Sequence, residues 1–454
     1  MRHSMYSFIL AFVIAPLFIR AADRPNVVLI LADDLGYADV GYHGSPDMKT
    51  PHIDSIASNG VRFSAGYVTA PVCGPSRAGL LTGIYQNRFG AEDNPGPYKV
   101  SKDVKVGIPK TIKTLPERLK ALGYVTGMIG KGHTGYEPEF HPNASGFDEF
   151  FGFINGASNY RPDGRWGKKI NQPDNPILRN HTKVEETEYL TDAFGREAVS
   201  FIDRHADQPF FLYVPFNAVH GPLQALDKDL AAFSSIKDEK RRLVVAMNYT
   251  LDCNVGRILT ALQKHNLAQN TLVLFLSDNG GDPVSNASLN TPLRGHKGQL
   301  WDGGIRIPFC LQWPAQIKAG QKIDSPVISM DILPTVISAV GGSAKEKVDG
   351  IDLIPLLTGK ATTLPERFIY WRFNRAWTIR DAEWKLIIPG GTEKRPLLFH
   401  IASDISETKD LYSEKPAIAQ RLQNAYTSWS SEMMPKLWGW DKSFPVYDPK
   451  IGGE

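Results

Sequence analysis

The sequence predicts an α/β fold: a doubly wound, mostly parallel sheet flanked by helices, with a smaller C-terminal α+β subdomain that contains an antiparallel sheet. Continuous runs of β-branched and aliphatic residues, typical of strands buried on both faces, alternate with helical patterns along most of the chain. Four of these runs end in polar residues, as strands do at the ligand-binding edge of a parallel sheet. Near residue 360 the alternation stops, and short strand patterns follow one another.

The four predicted strands of the main sheet occupy residues 26–32, 124–129, 210–214 and 271–277. The first of them, NVVLILA, is apolar after its asparagine, as expected of a strand covered by helices on both sides. Helical patterns lie between the strands at 51–57, 115–122, 188–205 and 241–264. Thr114 and Glu117 have the spacing of a capping box at the start of the second helix.

The region after residue 360 is predicted to hold short antiparallel strands at 376–380, 384–389 and 397–401, followed by a helix at 417–432. Its last stretch is rich in aromatic residues, among them Trp438 and Trp440, so we expect it to pack against the rest of the protein. We therefore divide the chain into a main domain at 23–360 and a C-terminal subdomain at 361–454.

Residues 1–22 have the pattern of a signal peptide, with a weakly basic start, an apolar run at 8–18 and small residues near the expected cleavage point. The alternative is an uncleaved membrane anchor, but the apolar run is short for a full span. We expect an exported protein, periplasmic or secreted, with no membrane attachment after cleavage.

Composition excludes several functional classes. The 454 residues are 42% hydrophobic and carry a net charge of +3, and no run of Lys and Arg indicates a nucleic-acid partner. The three cysteines, Cys73, Cys253 and Cys310, are too few for a disulfide framework.

Acidic and amide side chains follow two of the predicted strands. Asp33 and Asp34 come directly after the first strand, and Asp278 and Asn279 come after the last. Adjacent carboxylates repel each other unless a cation neutralises them, and ligands that offer only oxygen suit Ca²⁺ or Mg²⁺ better than Zn²⁺. A cation site is our interpretation, and a solvated turn is the alternative.

A cysteine within a Gly- and Pro-containing turn marks the start of another predicted helix. Cys73 would lie at the helix N-terminus, where free N–H groups and the helix dipole favour an anion. Arg77, one turn later, would project from the same face and could hold that anion through its planar fork. From the residues alone, a buried cysteine before a core helix is an equally good interpretation.

Basic side chains gather at the same predicted edge. Lys131 and His133 follow the second strand, His220 follows the third, and His296 and Lys297 lie in a later loop. One such residue would be unremarkable, but their convergence with Cys73 and the carboxylates predicts a catalytic site for an anionic substrate.

The run CGPSR at 73–77, followed by LLTG at 80–83, resembles the active-site signature of the type I sulfatases, the formylglycine-dependent branch of the alkaline-phosphatase superfamily. The resemblance extends over nearly all of the chain after the predicted signal peptide. It departs at Gly132, where the family commonly has an aromatic residue.

The resemblance implies a role for each residue of the predicted site. Cys73 would be converted to formylglycine by a formylglycine-generating or other maturation enzyme, with Arg77 supporting it. Lys131, His133, His220 and Lys297 would surround the sulfate. The implied Ca²⁺ ligands, with Mg²⁺ as an alternative ion, are Asp33, Asp34, Asp278, Asn279 and the Cys73 position.

The resemblance further implies hydrolysis of sulfate esters on a sulfated carbohydrate, such as a carrageenan-type galactan or a galactosamine glycan. Candidate substrate-binding residues lie in the Gly- and Pro-rich loops of 135–180 and beside Lys297: Ser158, Arg161, Arg165, Trp166, Arg179, Arg294 and His296. Two other functions stay open: a phosphoryl hydrolase or transferase of the same superfamily, and an inactive protein that binds a sulfated glycan.

Overall fold

The computed structural model describes residues 24–165, 168–172, 175–343 and 346–440. The strands in these residues are β1 (Asn26–Ala32), β2 (Val61–Phe63), β3 (Gly66–Tyr67), β4 (Tyr98–Lys99), β5 (Val125–Lys131), β6 (Glu149–Phe153), β7 (Leu178–Arg179), β8 (Thr182–Lys183), β9 (Phe210–Pro215), β10 (Thr271–Ser277), β11 (Phe309–Gln312), β12 (Gln321–Ile323), β13 (Val327–Ile328), β14 (Ile369–Phe373), β15 (Ala376–Arg380), β16 (Trp384–Ile388), β17 (Leu397–His400) and β18 (Trp438–Gly439). The helices are α1 (Pro51–Ser58), α2 (Cys73–Thr82), α3 (Leu115–Ala121), α4 (Leu190–His205), α5 (Asp227–Ala232), α6 (Glu239–Lys264), α7 (Asp302–Ile305), α8 (Ile332–Ala339), α9 (Ile354–Leu357) and α10 (Pro416–Ser431).

The main sheet has ten strands in the order β12-β2-β11-β10-β1-β9-β5-β6-β7-β8. The four strands predicted from the sequence are neighbours in it, because β10, β1, β9 and β5 pair in parallel. Their carboxyl ends therefore share one edge, as the sequence predicts. Antiparallel strands flank the parallel centre on both sides, which makes the sheet mixed but mostly parallel at its core.

Both faces of the sheet are covered, which explains the unbroken apolar sequence of β1. Val27, Leu29 and Leu31 point into one apolar cluster, together with side chains of α2, α3, α8 and α10. Val28 and Ile30 point into a second cluster on the opposite face, formed with α1, α4 and α6. A strand at the centre of three layers has no solvated face, so it needs no alternation of polar residues.

Two helix starts show where local sequence decides the fold. Thr114 and Glu117 form the predicted capping box, in which each side chain accepts a hydrogen bond from the other residue's backbone N–H. Asp238 caps α6 by accepting a hydrogen bond from the Arg241 N–H. The helix therefore begins two residues before the predicted position 241.

The C-terminal region forms a four-stranded antiparallel sheet, β14-β15-β16-β17, covered by α10. The sequence predicts the last three strands but misses β14, whose register is set by pairing with β15. This sheet shares an apolar cluster with the main sheet, and the Trp371 Nε1–H donates to the Val68 carbonyl at 2.6 Å. The domain boundary at residue 360 stays a prediction.

Several sequence predictions concern the ends of the chain. β18 pairs with β4 and Trp438 is buried, so the described part of the last stretch does pack on the protein. The predicted signal peptide at 1–22 and residues 441–454 lie outside the described residues. Within the part of the chain that the structure describes, no helix is both long and apolar enough to cross a membrane.

A buried ionic cluster joins the C-terminal sheet to α7 and β3 of the main domain. Lys385 on β16 contacts Asp302 and Glu407 at 2.7 Å each, and all three side chains are fully buried. The Tyr67 hydroxyl donates to the second Asp302 oxygen at 2.8 Å, and the Glu407 carboxylate accepts from the Asp302 N–H. Because buried charges are costly unless they are paired, this cluster fixes the start of α7 against the C-terminal sheet.

Replacement of Lys385 by methionine should lower the free energy of unfolding by about 3–5 kcal/mol, because the buried Glu407 loses its cation and Asp302 keeps only Arg306 at 3.3 Å. The matched control is Lys409→Met, whose side chain is 70% exposed and should change stability by less than about 0.5 kcal/mol. Denaturant unfolding of the three proteins measures both effects. Equal unfolding midpoints for Lys385→Met and the control would contradict this role of the cluster.

Candidate active site

The ends of β1, β9 and β10 are tied together by backbone hydrogen bonds. The Asp33 N–H donates to the Ala218 carbonyl at 2.9 Å, and the Asp278 N–H donates to the Ala32 carbonyl at 3.0 Å. These bonds continue the parallel pairing one residue past the strands. They bring Asp33, Asp34 and Asp278 to one point at the sheet edge.

Two residues at this edge have a left-handed backbone although neither is glycine. Asp34 has φ 59° and His133 has φ 60°. Such conformations are strained for residues with a side chain and occur often at functional sites. At Asp34 the turn is held by its N–H, which donates to an Asp278 carboxylate oxygen at 3.3 Å.

Cys73 is the first residue of α2, as the sequence predicts. Val72 before it is extended, and the helix ends at Gly83, whose φ of 70° suits glycine. Every residue of α2 is buried, and the Cys73 sulfur lies 3.5 Å from a carboxylate oxygen of Asp33. Burial raises the pKa of the Cys73 thiol, and the neighbouring Asp278 and Asp33 raise it further.

The guanidinium N–H groups of Arg77 donate hydrogen bonds to other residues of the protein. Its Nε and Nη2 donate to one Asp278 oxygen at 3.0 and 2.8 Å, and its Nη1 donates to the Lys131 carbonyl at 3.0 Å. Asp278 supplies a carboxylate that the fork binds, so Arg77 links α2 to the ends of β5 and β10. Its predicted contact with the substrate anion stays a prediction.

Two lysines approach the carboxylates from different elements. Lys131 at the end of β5 is completely buried, with its Nζ 2.5 Å from Asp33. Lys297 reaches from the loop before α7, with its Nζ 2.7 Å from Asp34. Burial opposes the charge of Lys297, but Asp34 and the other acidic groups raise its pKa well above the usual range. Lys297 is therefore held as a cation.

The two histidines present different edges to the site. The His220 Nδ1 lies 2.6 Å from the Gly221 carbonyl, so this nitrogen carries a proton and the Nε2, 3.7 Å from Asp34, faces the carboxylates. His133 is buried, and its Nδ1 has no hydrogen-bond partner among the described residues. Burial and the nearby Lys131 hold the pKa of His133 well below its usual range, which favours the neutral imidazole.

The carboxylate cluster has the chemistry of a hard-cation site. Ligand atoms of Asp33, Asp34, Cys73 and Asp278 all lie within 4.8 Å of one another. The Asn279 amide donates to Asp34 at 2.7 Å, while its Oδ1 is buried without a partner among the described residues. An orphaned acceptor beside three carboxylates fits an oxygen-coordinated Ca²⁺ or Mg²⁺.

A cavity of about 590 Å³ opens in front of Cys73. His133 and His220 line it beside Cys73, and Asn94, Tyr136, Asn155 and Trp440 are among its other lining residues. The sequence reasoning missed these last four, which lie in irregular segments outside the predicted strands and helices. Apart from the aromatic character of the final stretch, the sequence held no signal for them.

Most predicted substrate-binding residues do not line this cavity. Arg161 donates to both Asp163 oxygens, and Arg179 forms a bidentate pair with Glu197 at 2.8 and 2.9 Å. Arg165 is paired with Asp227. These arginines bind the protein's own carboxylates, and their predicted contact with an anionic sugar stays a prediction.

The remaining candidates also lie outside the described cavity lining. Arg294 stacks on Trp301 at 3.7 Å and donates to the Glu407 carbonyl. The His296 Nδ1 lies 2.9 Å from the Lys297 carbonyl, and Ser158 is buried in the loop after β6. Their substrate contacts stay predictions, and Trp166 lies outside the described residues.

The fold and the site together define an α/β enzyme with a charged centre at one edge of its sheet, and the comparisons with known proteins specify its family. The model of the Sulfatase family matches residues 25–342, and a model described as N-sulphoglucosamine sulphohydrolase, C-terminal, matches residues 296–430. The chain belongs to the sulfatase family and is a sulfuric ester hydrolase.

Named relatives agree with this assignment. N-acetylgalactosamine-6-sulfatase of Mus musculus is 33% identical, over 80% of this chain and 72% of its own length. Arylsulfatase J of Mus musculus is 30% identical, over 94% and 78%. The crystal structure of Ps i-CgsB is 37% identical with a TM-score of 0.85, covering 92% of this chain and 96% of that one. The same protein has been solved in complex with k-i-k-neocarrahexaose.

Calcium should raise the unfolding temperature of the protein, because a cation that binds only the folded state stabilises it by mass action. The increment should shrink in Asn279→Ala, which removes the orphaned oxygen, and persist in Asp207→Ala, an exposed carboxylate away from the site. Thermal unfolding with calcium or with chelator measures the increment. The same calcium increment in Asn279→Ala as in wild type would remove Asn279 from the cation site.

Proposed function

We propose that the protein hydrolyses sulfate esters on a sulfated carbohydrate, either a carrageenan-type galactan or a galactosamine glycan. The proposal includes Ca²⁺ as the cation and formylglycine, derived from Cys73, as the nucleophile. The observation that carries it is the juxtaposition of Cys73 with the carboxylate cluster, two lysines and two histidines at one sheet edge, where a cavity lined by Cys73 and both histidines opens. The relatives that act on galactosamine sulfate, or bind neocarrahexaose, support the carbohydrate class.

The residues fit the two groups that the family implies. Asp33, Asp34, Asp278 and Asn279 would hold the cation, which supplies positive charge beside the nucleophile and the sulfuryl oxygens. Formylglycine at position 73 would supply, as its hydrate, one hydroxyl for attack and a second for expelling sulfate.

The lysines act on the sulfuryl group. Lys131 and Lys297 are held beside Cys73 by Asp33 and Asp34, so their positions are fixed before substrate binds. Positive groups that need no reorganisation stabilise the charge that develops on the sulfuryl oxygens in the transition state.

The histidines move protons. His220 already carries a proton on Nδ1, so as the imidazolium it donates from Nε2 to the oxygen of the leaving alcohol. Its Nε2 lies 3.7 Å from Asp34, on the side of the site where the carboxylates lie. The neutral His133 accepts the proton of the second hydroxyl as sulfate is expelled.

The proposal also includes the maturation of the protein and its export. Conversion of Cys73 requires a maturation enzyme, and the apolar run at 8–18 directs the protein out of the cytoplasm. A polysaccharide substrate outside the cell is consistent with export.

The function is tested by the release of inorganic sulfate from sulfated galactan and galactosamine oligosaccharides by the protein made with a maturation system. Release from either class is the expected result. Absence of release from both classes, with the Cys73 conversion complete, would overturn the substrate proposal.

His220→Ala should slow hydrolysis of a sugar sulfate about a hundredfold to ten-thousandfold, the usual range for general acid catalysis. Hydrolysis of an aryl sulfate should fall much less, because a phenol leaves without protonation. Steady-state rates on both substrates measure the difference, with the exposed His52→Ala as control. Equal losses on both substrates would mean that His220 positions the sulfate group.

Cys73→Ser should fold and bind calcium like the wild type, since serine is close in size and the oxygen ligands remain. It should not turn over, because a single hydroxyl gives no route to expel bound sulfate. Calorimetry with calcium and a sulfate-release assay measure the two properties. Undiminished multiple turnover would contradict the formylglycine mechanism.

A further inference from the structure

Two exposed aromatic side chains stand at the outer part of the cavity that contains Cys73. Tyr136, in the loop after β5, is 41% exposed, and Trp440, directly after β18, is 59% exposed. They are far apart in the sequence, and most large apolar side chains of the described residues are buried. Neither ring has a part in the proposed sulfate chemistry.

Both aromatic side chains are anchored on one backbone carbonyl. The Tyr136 hydroxyl donates to the Pro95 carbonyl at 3.1 Å, and the Trp440 Nε1–H donates to the same oxygen at 3.0 Å. The preceding residue, Asn94, accepts from the Gly74 N–H at 2.8 Å, next to Cys73. One short segment therefore fixes both rings relative to the nucleophile.

Glycine at position 96 brings this segment close to the end of β18. A Cβ at Gly96 would lie 2.4 Å from the Gly439 carbonyl oxygen and 3.0 Å from the Trp440 ring. A side chain at this position would clash with the Gly439 backbone next to Trp440. Glycine therefore allows the segment that anchors both rings to approach the end of β18.

The charges of the cavity are concentrated at one end. Lys131 and Lys297 lie beside Cys73, whereas none of the described residues that line the cavity is a lysine or an arginine. The lining beyond the histidines consists of the two aromatic rings, asparagines and small residues. Among the described lining residues a second sulfate or a carboxylate would find no lysine or arginine, but the apolar face of a sugar ring would find aromatic surface and amide groups.

We infer that Tyr136 and Trp440 form a platform that binds an uncharged pyranose ring of the substrate while its sulfate ester lies at Cys73. The inference rests on the proposed function, since it takes the substrate to be a sulfated saccharide. The cavity volume of about 590 Å³ exceeds what a sulfate group alone requires and lies in the usual range for ligand pockets. The platform makes the protein selective for saccharides whose charge is confined to the reacting end.

The test combines the platform variants Trp440→Ala and Tyr136→Ala with a sulfated galactan disaccharide. Each variant should raise KM about tenfold and leave kcat within about twofold, because the platform contributes the same binding to substrate and transition state. The inhibition constant of inorganic sulfate should not change, since this anion occupies only the charged end. Tyr136→Phe, which keeps the ring, should retain most of the affinity.

The matched control is Tyr412→Ala, which removes a tyrosine of similar exposure, 38%, from the C-terminal region. Wild-type KM values in both platform variants would overturn the inference, and so would an equal weakening of inorganic sulfate. Calorimetric binding of the same disaccharide to Cys73→Ser, with and without Trp440→Ala, tests the platform without turnover. A failure of the platform is thereby distinguished from a failure of the proposed hydrolysis. Binding that depends on Trp440 without any turnover by the mature protein would support the platform and reject the hydrolysis of that saccharide.

Discussion

Three carboxylates and three cations meet at one edge of the main sheet, and the rest of the site depends on their balance. Asp33, Asp34 and Asp278 are paired with Lys131, Lys297 and Arg77 at 2.5 to 2.8 Å. Unpaired, each buried charge would cost several kcal/mol. Since the pairs are neutral together, a bound divalent cation would leave the edge positive. An anionic sulfate ester and an ionised nucleophile are the charges that such an edge accepts.

The fold keeps these groups in register through two sets of contacts. Strand pairing brings the carboxylates together at the sheet edge. The loop that carries Lys297 is held by the Lys297 backbone N–H, which donates to the Gly281 carbonyl at 3.1 Å. Just after that loop, α7 contacts the end of β10, since the Gly280 N–H donates to the Gly304 carbonyl at 3.0 Å. Asp302 at the start of α7 is paired in turn with Lys385. The C-terminal sheet thereby supports the site without lining its charged end.

The parts of the site that depend on local pattern could be predicted from the sequence, and those that depend on distant partners could not. The apolar runs of β1 and β10 and the aspartates after them indicate the sheet edge directly. The pairing of Arg77 with Asp278 joins residues 201 positions apart in the chain. Likewise, nothing near Trp440 in the sequence indicates that its ring meets the Pro95 carbonyl.

The central claim is that the reacting group at position 73 is an oxygen nucleophile made from cysteine, not the thiol. Its most direct test is peptide mass spectrometry of Cys73 in preparations that contain different fractions of converted protein, each assayed for sulfate release. The account predicts that activity rises in proportion to the aldehyde fraction and approaches zero in the thiol form. Full activity in a preparation whose Cys73 peptide carries only the thiol would contradict it.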